Sequence, residues 1–386
     1  MEFDTIKKFN SETFERLKLR IMDCAITRRE LAKNPVYAAE YPTEIGLQLT
    51  HLCNMRCKMC YEWNESGFFK KNKNKNELDI SLIESILEET RETKSRFYLW
   101  GGEPLLYSKW EQLAELMLKE SRYVILCTNG TKIKDKIDSL NRLSSNMALL
   151  ISVDGLYEVH DNLRGKNAFA KLHEQILFVL NEQKEGRFKG SISINVVLND
   201  GLIPNLYEFL SFFEELKIDS VYLNYPWYIS ENTARAMDDY FMSNSQLFDL
   251  TEFQPGEASW YSYSYKLSPE SESILKDQIE RIRSKKWSIR IRFQQHLDTE
   301  EIGDFINDTY INPKRCLALS IRFEVMADGK AGTCCKFFPE LCAGNLYENT
   351  VHEIWHSEYY KNQRLLLSLG NMPLCSKCVL LYRNNI

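Results

Sequence analysis

Between residues 44 and 225, six short β-rich runs alternate with longer stretches of helical period, and this alternation leaves few folds open to the chain. Parallel strands need a crossover connection, which helices usually supply. The pattern therefore predicts an α/β fold with a parallel sheet, arranged either as an open sheet or as a barrel. In such folds the ligands bind at the carboxyl ends of the strands. The predicted runs are Glu44–Thr50, Phe97–Trp100, Tyr123–Thr128, Leu149–Val153, Ser191–Leu198 and Ser220–Asn224.

The segments on either side of this block follow other patterns. Before it, Ser11–Asn34 has the pattern of a basic amphipathic helix that packs through one apolar face. After it, Tyr225–Tyr265 is rich in aromatic side chains, which form either core or the wall of a substrate cleft. A further helix is predicted over Pro269–Lys285. The apolar face of the first helix is expected to comprise Phe14, Leu17, Ile21, Met22 and Ile26.

Four segments are therefore expected along the chain. They are an N-terminal helical extension over residues 1–43, a core domain over 44–225, an aromatic-rich insertion with a linker helix over 226–310, and a small C-terminal domain over 311–386. Within the core domain, Ser81 and Glu84 predict a capping box at the start of a helix. The Lys-Asn run Phe69–Asn76 is interpreted as a solvated loop.

Composition excludes several classes of function. The chain has 386 residues, with 49 Lys and Arg against 54 Asp and Glu, so its formal net charge is −5. This balance gives no global field for nucleic acid or for an anionic membrane, and neither is an expected partner. No apolar run approaches the roughly 20 residues of a spanning helix, and no signal peptide is recognised at the start. The expected location is the cytoplasm.

Cysteine is the unusual component, with 11 residues in the chain. An odd number in a large chain without an export signal argues against a disulfide framework and favours metal binding or redox chemistry. Three cysteines lie within Cys53–Cys60 and six follow from Cys316 onward. The two remaining residues, Cys24 and Cys127, are expected to be small buried hydrophobes.

The strongest local signal is the CxxxCxxC pattern of Cys53, Cys57 and Cys60, which follows the first predicted strand directly. Three thiolates on one loop match three irons of a cubane cluster and leave the fourth iron without a protein ligand. A zinc site is the alternative, with His51 as the fourth ligand.

These residues, together with Tyr61 after the last cysteine and the WGGEP sequence of Trp100–Pro104, resemble the radical SAM family. The resemblance implies a partial (β/α)6 TIM-type barrel and a [4Fe–4S] cluster whose open iron is chelated by S-adenosylmethionine (SAM). It implies that the SAM amino group lies against the GGE segment. It also assigns the SAM ribose and carboxylate to a serine and an arginine further along, and Asn195 could face the adenosine. The cofactor-binding residues expected from the resemblance are Tyr61, Gly101, Gly102, Glu103, Pro104, Ser152, Arg164 and Asn195.

The C-terminal segment carries a second cysteine pattern. A β-hairpin with Asp328-Gly329 at its turn is predicted after Cys316, and a helix over Val351–Leu367. The order of these features resembles the SPASM/twitch extension of radical SAM enzymes, a small α+β iron–sulfur domain. The resemblance implies one auxiliary [4Fe–4S] cluster, with structural zinc as the alternative. Its expected ligands are Cys316, Cys334, Cys375 and Cys378, while Cys335 competes with Cys334 and Cys342 has no place in the scheme.

The activity implied by the resemblance is reductive cleavage of SAM to a 5′-deoxyadenosyl radical, which takes a hydrogen atom from a substrate carbon. An auxiliary cluster that accepts a second electron would give net oxidation, such as dehydrogenation or crosslinking. A cysteine that returns a hydrogen atom would give epimerisation, and the candidate donors are Cys335, Cys342 and Cys127. The expected substrate is a small metabolite or a ribosomally made peptide, and the expected reductant is a flavodoxin or a ferredoxin. An alternative of another class is a non-catalytic iron–sulfur or zinc protein that transfers electrons or binds a partner.

Overall fold

The computed structural model describes residues 3–65, 67, 76–248 and 253–383, and the strands of these ranges form one ten-stranded sheet. Six strands coincide with the predicted runs to within three residues at either end, which confirms the α/β prediction. Four further strands were not predicted as sheet members. The strands are β1 (Glu44–Gln48), β2 (Arg96–Trp100), β3 (Val124–Thr128), β4 (Met147–Ser152), β5 (Ser191–Val197), β6 (Ser220–Asn224), β7 (Arg290–Phe293), β8 (Arg322–Val325), β9 (Lys330–Gly332) and β10 (Gly344–Asn345).

The sheet order is β10-β9-β8-β1-β2-β3-β4-β5-β6-β7. Strands β1 to β7 pair in parallel with their sequence neighbours, and β8 pairs in parallel with the other edge of β1. Strands β9 and β10 continue the sheet as antiparallel additions. Since β7 and β10 are the two ends of this order, the sheet is a partial barrel, as the family resemblance implied.

Helices connect the parallel strands and cover their outer face. They are α1 (Ser11–Lys33), α2 (Ile80–Glu89), α3 (Trp110–Lys119), α4 (Ile137–Leu143), α5 (Tyr157–Arg164), α6 (Ala168–Lys184), α7 (Leu206–Glu215), α8 (Glu231–Ser243), α9 (Glu270–Arg283), α10 (Glu301–Asn307), α11 (Val351–Trp355), α12 (Glu358–Leu369) and α13 (Val379–Arg383). The helix predicted over Val351–Leu367 is two helices, because Ser357 accepts from Tyr360 N and starts α12. Within the described ranges, no helix has both the length and the apolar character that crossing a bilayer requires.

The predicted capping box at the start of α2 is wrong. The N-cap is Asp79, whose side chain accepts a hydrogen bond from the backbone N–H of Ser81. The Asp79 carboxylate therefore caps the helix two positions earlier than the Ser81–Glu84 pair would. The solvated loop predicted over Phe69–Asn76 lies, except for its last residue, outside the described residues.

Helix α1 forms as predicted, but its buried face is not the predicted one. Its buried residues are Cys24, Thr27 and Leu31. Phe14 and Met22 of the predicted face are 55% and 48% exposed. The helix runs beneath the amino ends of the strands, where Arg16 lies over the Tyr123 ring at 4.4 Å. The packed face of α1 is set by its contact with Leu317 and Ile321, which lie far along the chain, so it cannot be read from the hydropathy of the helix alone.

Side chains alternate between the helices and the barrel interior along each strand. On β2, Phe97 and Leu99 are fully buried against the helices, whereas Tyr98 points inward and is only partly buried. The inward residues Cys127 on β3 and Asn195 on β5 are likewise partly exposed. The space inside the barrel, which we call the lumen, is therefore partly accessible to solvent at the level of these residues.

The segment over 226–310 is mostly core. Phe241, Trp260 and Tyr263 are buried, as is Tyr225 directly before the segment, so the interpretation as a cleft wall does not apply to these four side chains. Its C-terminal part supplies β7, which pairs in parallel with β6 and extends the partial barrel. The segment is thus part of the barrel in addition to an aromatic insertion. The proposed domain limits stay predictions from the sequence.

Candidate active site

The loop that follows β1 carries the first three cysteines to the carboxyl end of the sheet. Two hydrogen bonds between residues close in sequence stabilise this loop, from Met55 N to Cys53 Sγ (3.4 Å) and from Cys60 N to Cys57 O (3.1 Å). A third, from Lys58 N to Leu163 O (3.0 Å), ties the loop to α5. All three thiols are partly buried. The structure thus brings the three predicted residues together on one loop at the predicted edge.

Burial raises the pKa of each thiol in this loop. For Cys53 the value rises to about 11. For Cys57 the rise is opposed by the positive charge of Arg164, and Cys60 is raised further by the nearby Glu62. Because a metal cation stabilises thiolates, bound iron would lower the pKa values of these three thiols. The chemistry of the donor set therefore fits a metal centre.

No three metal-ligating side chains of the described residues stand close enough to hold a single ion. A cubane does not require this, since each thiolate binds a different iron. His51, the fourth ligand of the zinc alternative, is 3% exposed, and its backbone N–H donates to Asn76 O at 3.0 Å.

The loop after β2 packs directly on the cysteine loop. Gly102 N donates to Thr50 O at 2.8 Å, and Glu103 N donates to Leu52 O at 2.7 Å. A Cβ at Gly102 would lie 2.3 Å from Leu52 O, and one at Gly101 would lie 2.6 Å from Thr50 O. Glycine is therefore required at both positions because the two backbones approach so closely.

Glu103 is fully buried, and both of its carboxylate oxygens have protein partners. Oε1 accepts from Leu105 N (3.0 Å) and Thr128 Oγ1 (2.5 Å), and Oε2 accepts from Asn129 N (2.7 Å). Pro104, the last residue of the motif, is buried and begins a short 3-10 turn. In this structure Glu103 joins the ends of β2 and β3, and its role toward SAM stays a prediction.

The remaining predicted SAM contacts lie at the ends of the next strands. Ser152 and Asn195 are register partners on β4 and β5. Asn195 Oδ1 accepts from Asn224 Nδ2 on β6 at 3.0 Å. Both side chains are partly exposed to the lumen, at the same level of the sheet.

Arg164, at the end of α5, is oriented by a buried carboxylate. Its Nε donates to Asp154 Oδ2 at 2.5 Å, and the two side chains are 11% and 1% exposed. Asp154 Oδ1 accepts from Val197 N at 2.9 Å, so this carboxylate also joins β5. The charges of Asp154, Cys57 and Cys60 raise the pKa of Arg164 against its burial. The guanidinium therefore lies next to the cysteine loop, where an anionic ligand group is expected.

Tyr61 begins an aromatic cluster that sequence reasoning did not find. Its ring stacks on Tyr263 at a centroid distance of 4.8 Å and meets the edge of Phe337 at 6.2 Å. Trp227 lies 5.5 Å from Tyr263 and 4.3 Å from Phe337. The cluster joins the cysteine loop, the 226–310 segment and the C-terminal domain. Its members are 36 to 276 positions apart in the sequence, and no local signal could have shown that they meet.

The C-terminal domain places the four predicted auxiliary ligands within electrostatic range of one another. Burial raises the pKa of Cys334 well above its ordinary value, and the negative charges of Cys378, Cys375 and Cys316 raise it further. Burial is also the largest cause of the raised pKa values of Cys316 (about 11) and Cys378 (about 12). The predicted hairpin is present, with Gly329 at φ +82° in its turn. This donor set also fits a metal centre.

The two adjacent cysteines face different surroundings. They lie in a 3-10 turn over Cys334–Lys336. Cys335 is fully buried beside Trp100 and Met326, and its thiol interacts with that of Cys342. Cys127 lines the lumen, where its thiol meets the hydroxyls of Tyr98 and Ser152. Of the three candidate hydrogen donors, Cys335 is fully buried, whereas Cys127 and Cys342 are partly exposed.

Comparison with known proteins agrees with this geometry. Residues 47–210 match the radical SAM superfamily, and residues 316–379 match the SPASM iron–sulfur cluster-binding domain. The first match spans β1 to α7, and the second spans the four cysteines of the C-terminal domain. The chain belongs to the radical SAM superfamily and is a radical SAM enzyme with a C-terminal SPASM domain.

Two curated relatives cover most of the chain. A serine-type anaerobic sulfatase-maturating enzyme of Bacteroides thetaiotaomicron is 25% identical over 86% of this chain and 79% of its own length. A tungsten-containing aldehyde ferredoxin oxidoreductase cofactor-modifying protein of Pyrococcus furiosus is 21% identical over 86% of each. Streptococcus suis SuiB bound to S-adenosylmethionine has a TM-score of 0.59 at 15% identity, over 92% of this chain and 74% of that one. The last comparison shows a shared fold.

The family gives the enzyme its cofactors: SAM, a [4Fe–4S] cluster in the radical SAM domain and auxiliary iron–sulfur in the SPASM domain. When bound, the reduced cluster and SAM supply a 5′-deoxyadenosyl radical, which takes a hydrogen atom from a substrate carbon. The thiols of the two cysteine sets described above can serve as ligands for these iron–sulfur clusters.

Proposed function

We propose that the protein oxidises a peptide, or a small metabolite, by removing a hydrogen atom from an unactivated carbon, with net dehydrogenation or crosslinking as the result. Cys53, Cys57 and Cys60 hold the SAM-binding cluster. Cys316, Cys334, Cys375 and Cys378 hold one auxiliary [4Fe–4S] cluster, which accepts the second electron. The observation that carries the proposal is that both cysteine sets adjoin one continuous sheet: the first set follows β1, and strands β8 and β9 of the C-terminal segment extend the sheet from the other edge of β1.

The chain's own residues position the reactants. Gly101 and Gly102 bring backbone groups against the cysteine loop, and Arg164 offers its guanidinium to a carboxylate there. Ser152 and Asn195 present polar side chains from the same level of the lumen. The aromatic cluster around Tyr61 closes the space between the two cysteine sets and limits the access of water.

A peptide substrate is supported by the relatives. One relative is named a sulfatase-maturating enzyme, and two structures of similar fold contain peptides: SuiB with the precursor peptide SuiA, and anSMEcpe with the Cp18Cys peptide. A flavodoxin or a ferredoxin is the proposed reductant. Arg56 and Lys58 are exposed beside the three thiols and suit an acidic partner.

Epimerisation is the second candidate, and the position of Cys127 favours it. Its thiol lies on the lumen surface of β3 among the hydroxyls of Tyr98 and Ser152. A thiol there can return a hydrogen atom to a substrate radical in the lumen, and the thiyl radical that this leaves on Cys127 is restored to the thiol by one electron from the flavodoxin or ferredoxin and one proton from solvent. Substrate recovered from turnover in D2O would carry one deuterium at the reacting carbon if this second function operates.

Anaerobic reconstitution tests the proposal. The wild type is expected to bind roughly eight irons per chain and to release 5′-deoxyadenosine only with a reductant. Cys57→Ala removes one thiolate of the first set and should abolish this release. Cys24→Ala removes a buried thiol on α1 and serves as the matched control, with release unchanged. Zinc in place of iron, or equal release by both variants, would disprove the proposed assignment.

A further inference from the structure

The floor of the barrel is built from charged layers that the SAM chemistry does not use. Register places Glu44 of β1 beside Arg96 of β2 and Arg322 of β8 in one lumen-facing layer. The next layer up contains Gly46, Tyr98 and Glu324. Because Gly46 has no side chain, the Glu324 carboxylate fills its place: a Cβ there would lie 1.8 Å from Glu324 Oε2.

Two more arginines close this floor from below. Arg20 of α1 donates from Nη2 to Arg383 O at 2.9 Å, and Arg383 Nη2 lies 4.0 Å from Glu44 Oε1. We call Arg20, Arg96, Arg322 and Arg383 the arginine cluster. They come from α1, β2, β8 and α13 and meet at the amino end of the barrel.

The carboxylates around the arginine cluster do not balance its charge. Arg96 Nε donates to Glu44 at 2.9 Å, and Arg322 pairs with both Glu44 and Glu324. Asp23 of α1 lies close enough for its charge to oppose the lowering of the pKa of Arg96 by burial. Among the described residues, the four arginines therefore meet these three carboxylates. Lys336 Nζ also lies 3.8 Å from Glu324, and burial lowers its pKa to about 7.

Several N–H groups of the arginine cluster have no hydrogen-bond acceptor among the described residues. Among the described residues, Arg20 Nε, Arg96 Nη2 and Arg322 Nη2 are buried N–H groups without a hydrogen-bond partner. The Arg322 side chain is 1% exposed. A buried charged donor without an acceptor is costly, so native proteins rarely leave several in one place.

The positive charges of the arginine cluster also repel one another. Burial, and then the charges of Arg383, Arg96 and Arg322, lower the pKa of Arg20 to about 9. Burial likewise lowers the pKa of Arg96 and of Arg322. An anion among these side chains would relieve both the repulsion and the unmet donors.

We propose that the arginine cluster binds a small oxoanion of the phosphate or carboxylate class at the floor of the barrel. Planar guanidinium groups bind both classes through paired N–H donors. The arginine cluster is accessible to solvent at its edge, since the Arg383 side chain is 21% exposed and Arg20 is partly exposed. The site lies at the amino ends of the strands, opposite the cysteine loop, and is independent of the proposed reaction.

The thermal midpoint of the anaerobic holoenzyme, measured against sodium phosphate and against sodium acetate at constant ionic strength, tests this site. The wild type is expected to show a saturable rise with one or both salts. Arg20→Gln removes one donor at the edge of the site and should weaken the apparent Kd about tenfold, since a charge-assisted hydrogen bond contributes about 1.5–3 kcal/mol. Arg29→Gln, on an exposed turn of α1, is the matched control and should leave the Kd unchanged.

The two salts separate the sources of the ligand. A response to phosphate alone identifies a phosphate site, and a response to acetate alone identifies a carboxylate site. Arg322→Met should abolish the saturable response altogether. If that variant does not fold, Arg20→Gln decides the question. A wild-type midpoint that does not saturate with either salt, or an equal Kd in Arg20→Gln and Arg29→Gln, would overturn the proposal.

Discussion

At the residue scale, the close contact between Gly102 and the cysteine loop is the most sensitive point of the site. A methyl group at this position would lie 2.3 Å from Leu52 O, which is backbone next to Cys53. Gly102→Ala should therefore displace the loop and lower the rate of 5′-deoxyadenosine release about a hundredfold, as a shift of about 1 Å can do at a reacting centre. The rate is measured with reconstituted enzyme at matched iron content.

Gly370 provides the control for this substitution. A Cβ there meets no atom within 4 Å, so Gly370→Ala should keep the wild-type rate. A Gly102→Ala enzyme with full activity would show that the backbone contact is not required.

At the element scale, α5 is held on the end of β4 by one buried network. His160 is fully buried, and its Nδ1 accepts from Asp154 N at 3.2 Å. Its Nε2 has no hydrogen-bond partner among the described residues. Burial and the charge of Arg164 lower its pKa to about 4. The imidazole is therefore neutral in the folded protein throughout the physiological range.

This network predicts a pH-dependent loss of stability. Between about pH 6.5 and pH 4 the unfolded chain binds a proton at His160 and the folded chain does not, so the free energy of unfolding falls as the pH falls. The expected loss is roughly 3 kcal/mol, from a pKa difference of about 2.5 units. Urea unfolding of the wild type and of His160→Asn at pH 7 and pH 4.5 measures the difference. His352→Asn on α11 is the control, and parallel changes in the wild type and His160→Asn would contradict the expectation.

Most strands and helices were predictable from the sequence, but the tertiary contacts that they make were not. The six runs with period-two or continuous apolar character are strands, because burial on the helix side fixes that pattern. The CxxxCxxC and GGE motifs follow β1 and β2 as expected. Strand β7 was missed, since Arg290 and Arg292 interrupt its apolar pattern and face the lumen. The aromatic cluster and the packed face of α1 depend on distant partners, which local periodicity does not encode.

At the scale of the whole molecule, the two cysteine sets are expected to have separable roles. Cys375→Ala removes one thiolate of the C-terminal set and leaves the first loop intact. Iron content should fall from roughly eight to about four per chain, while reductant-dependent release of 5′-deoxyadenosine continues. Conversion of the substrate should be lost. Cys57→Ala gives the opposite pattern of clusters, with release abolished and the C-terminal iron kept.

Product analysis with Cys375→Ala decides whether the second set is needed for oxidation. Full product formation by this variant would mean that the auxiliary cluster accepts no electron. Loss of both release and product would mean that the C-terminal set supports the fold of the first site.

The pairing of β8 with β1 bears on how the polypeptide is made. Ala327 N donates a hydrogen bond to Gln48 Oε1 across 279 positions of sequence. The backbone groups on the same edge of β1 pair with β8, which lies equally far along the chain. During translation, β1 leaves the ribosome long before β8 exists, so its backbone groups on that side stay open to any passing strand. We therefore expect the nascent polypeptide to depend on chaperones until β8 has been synthesised.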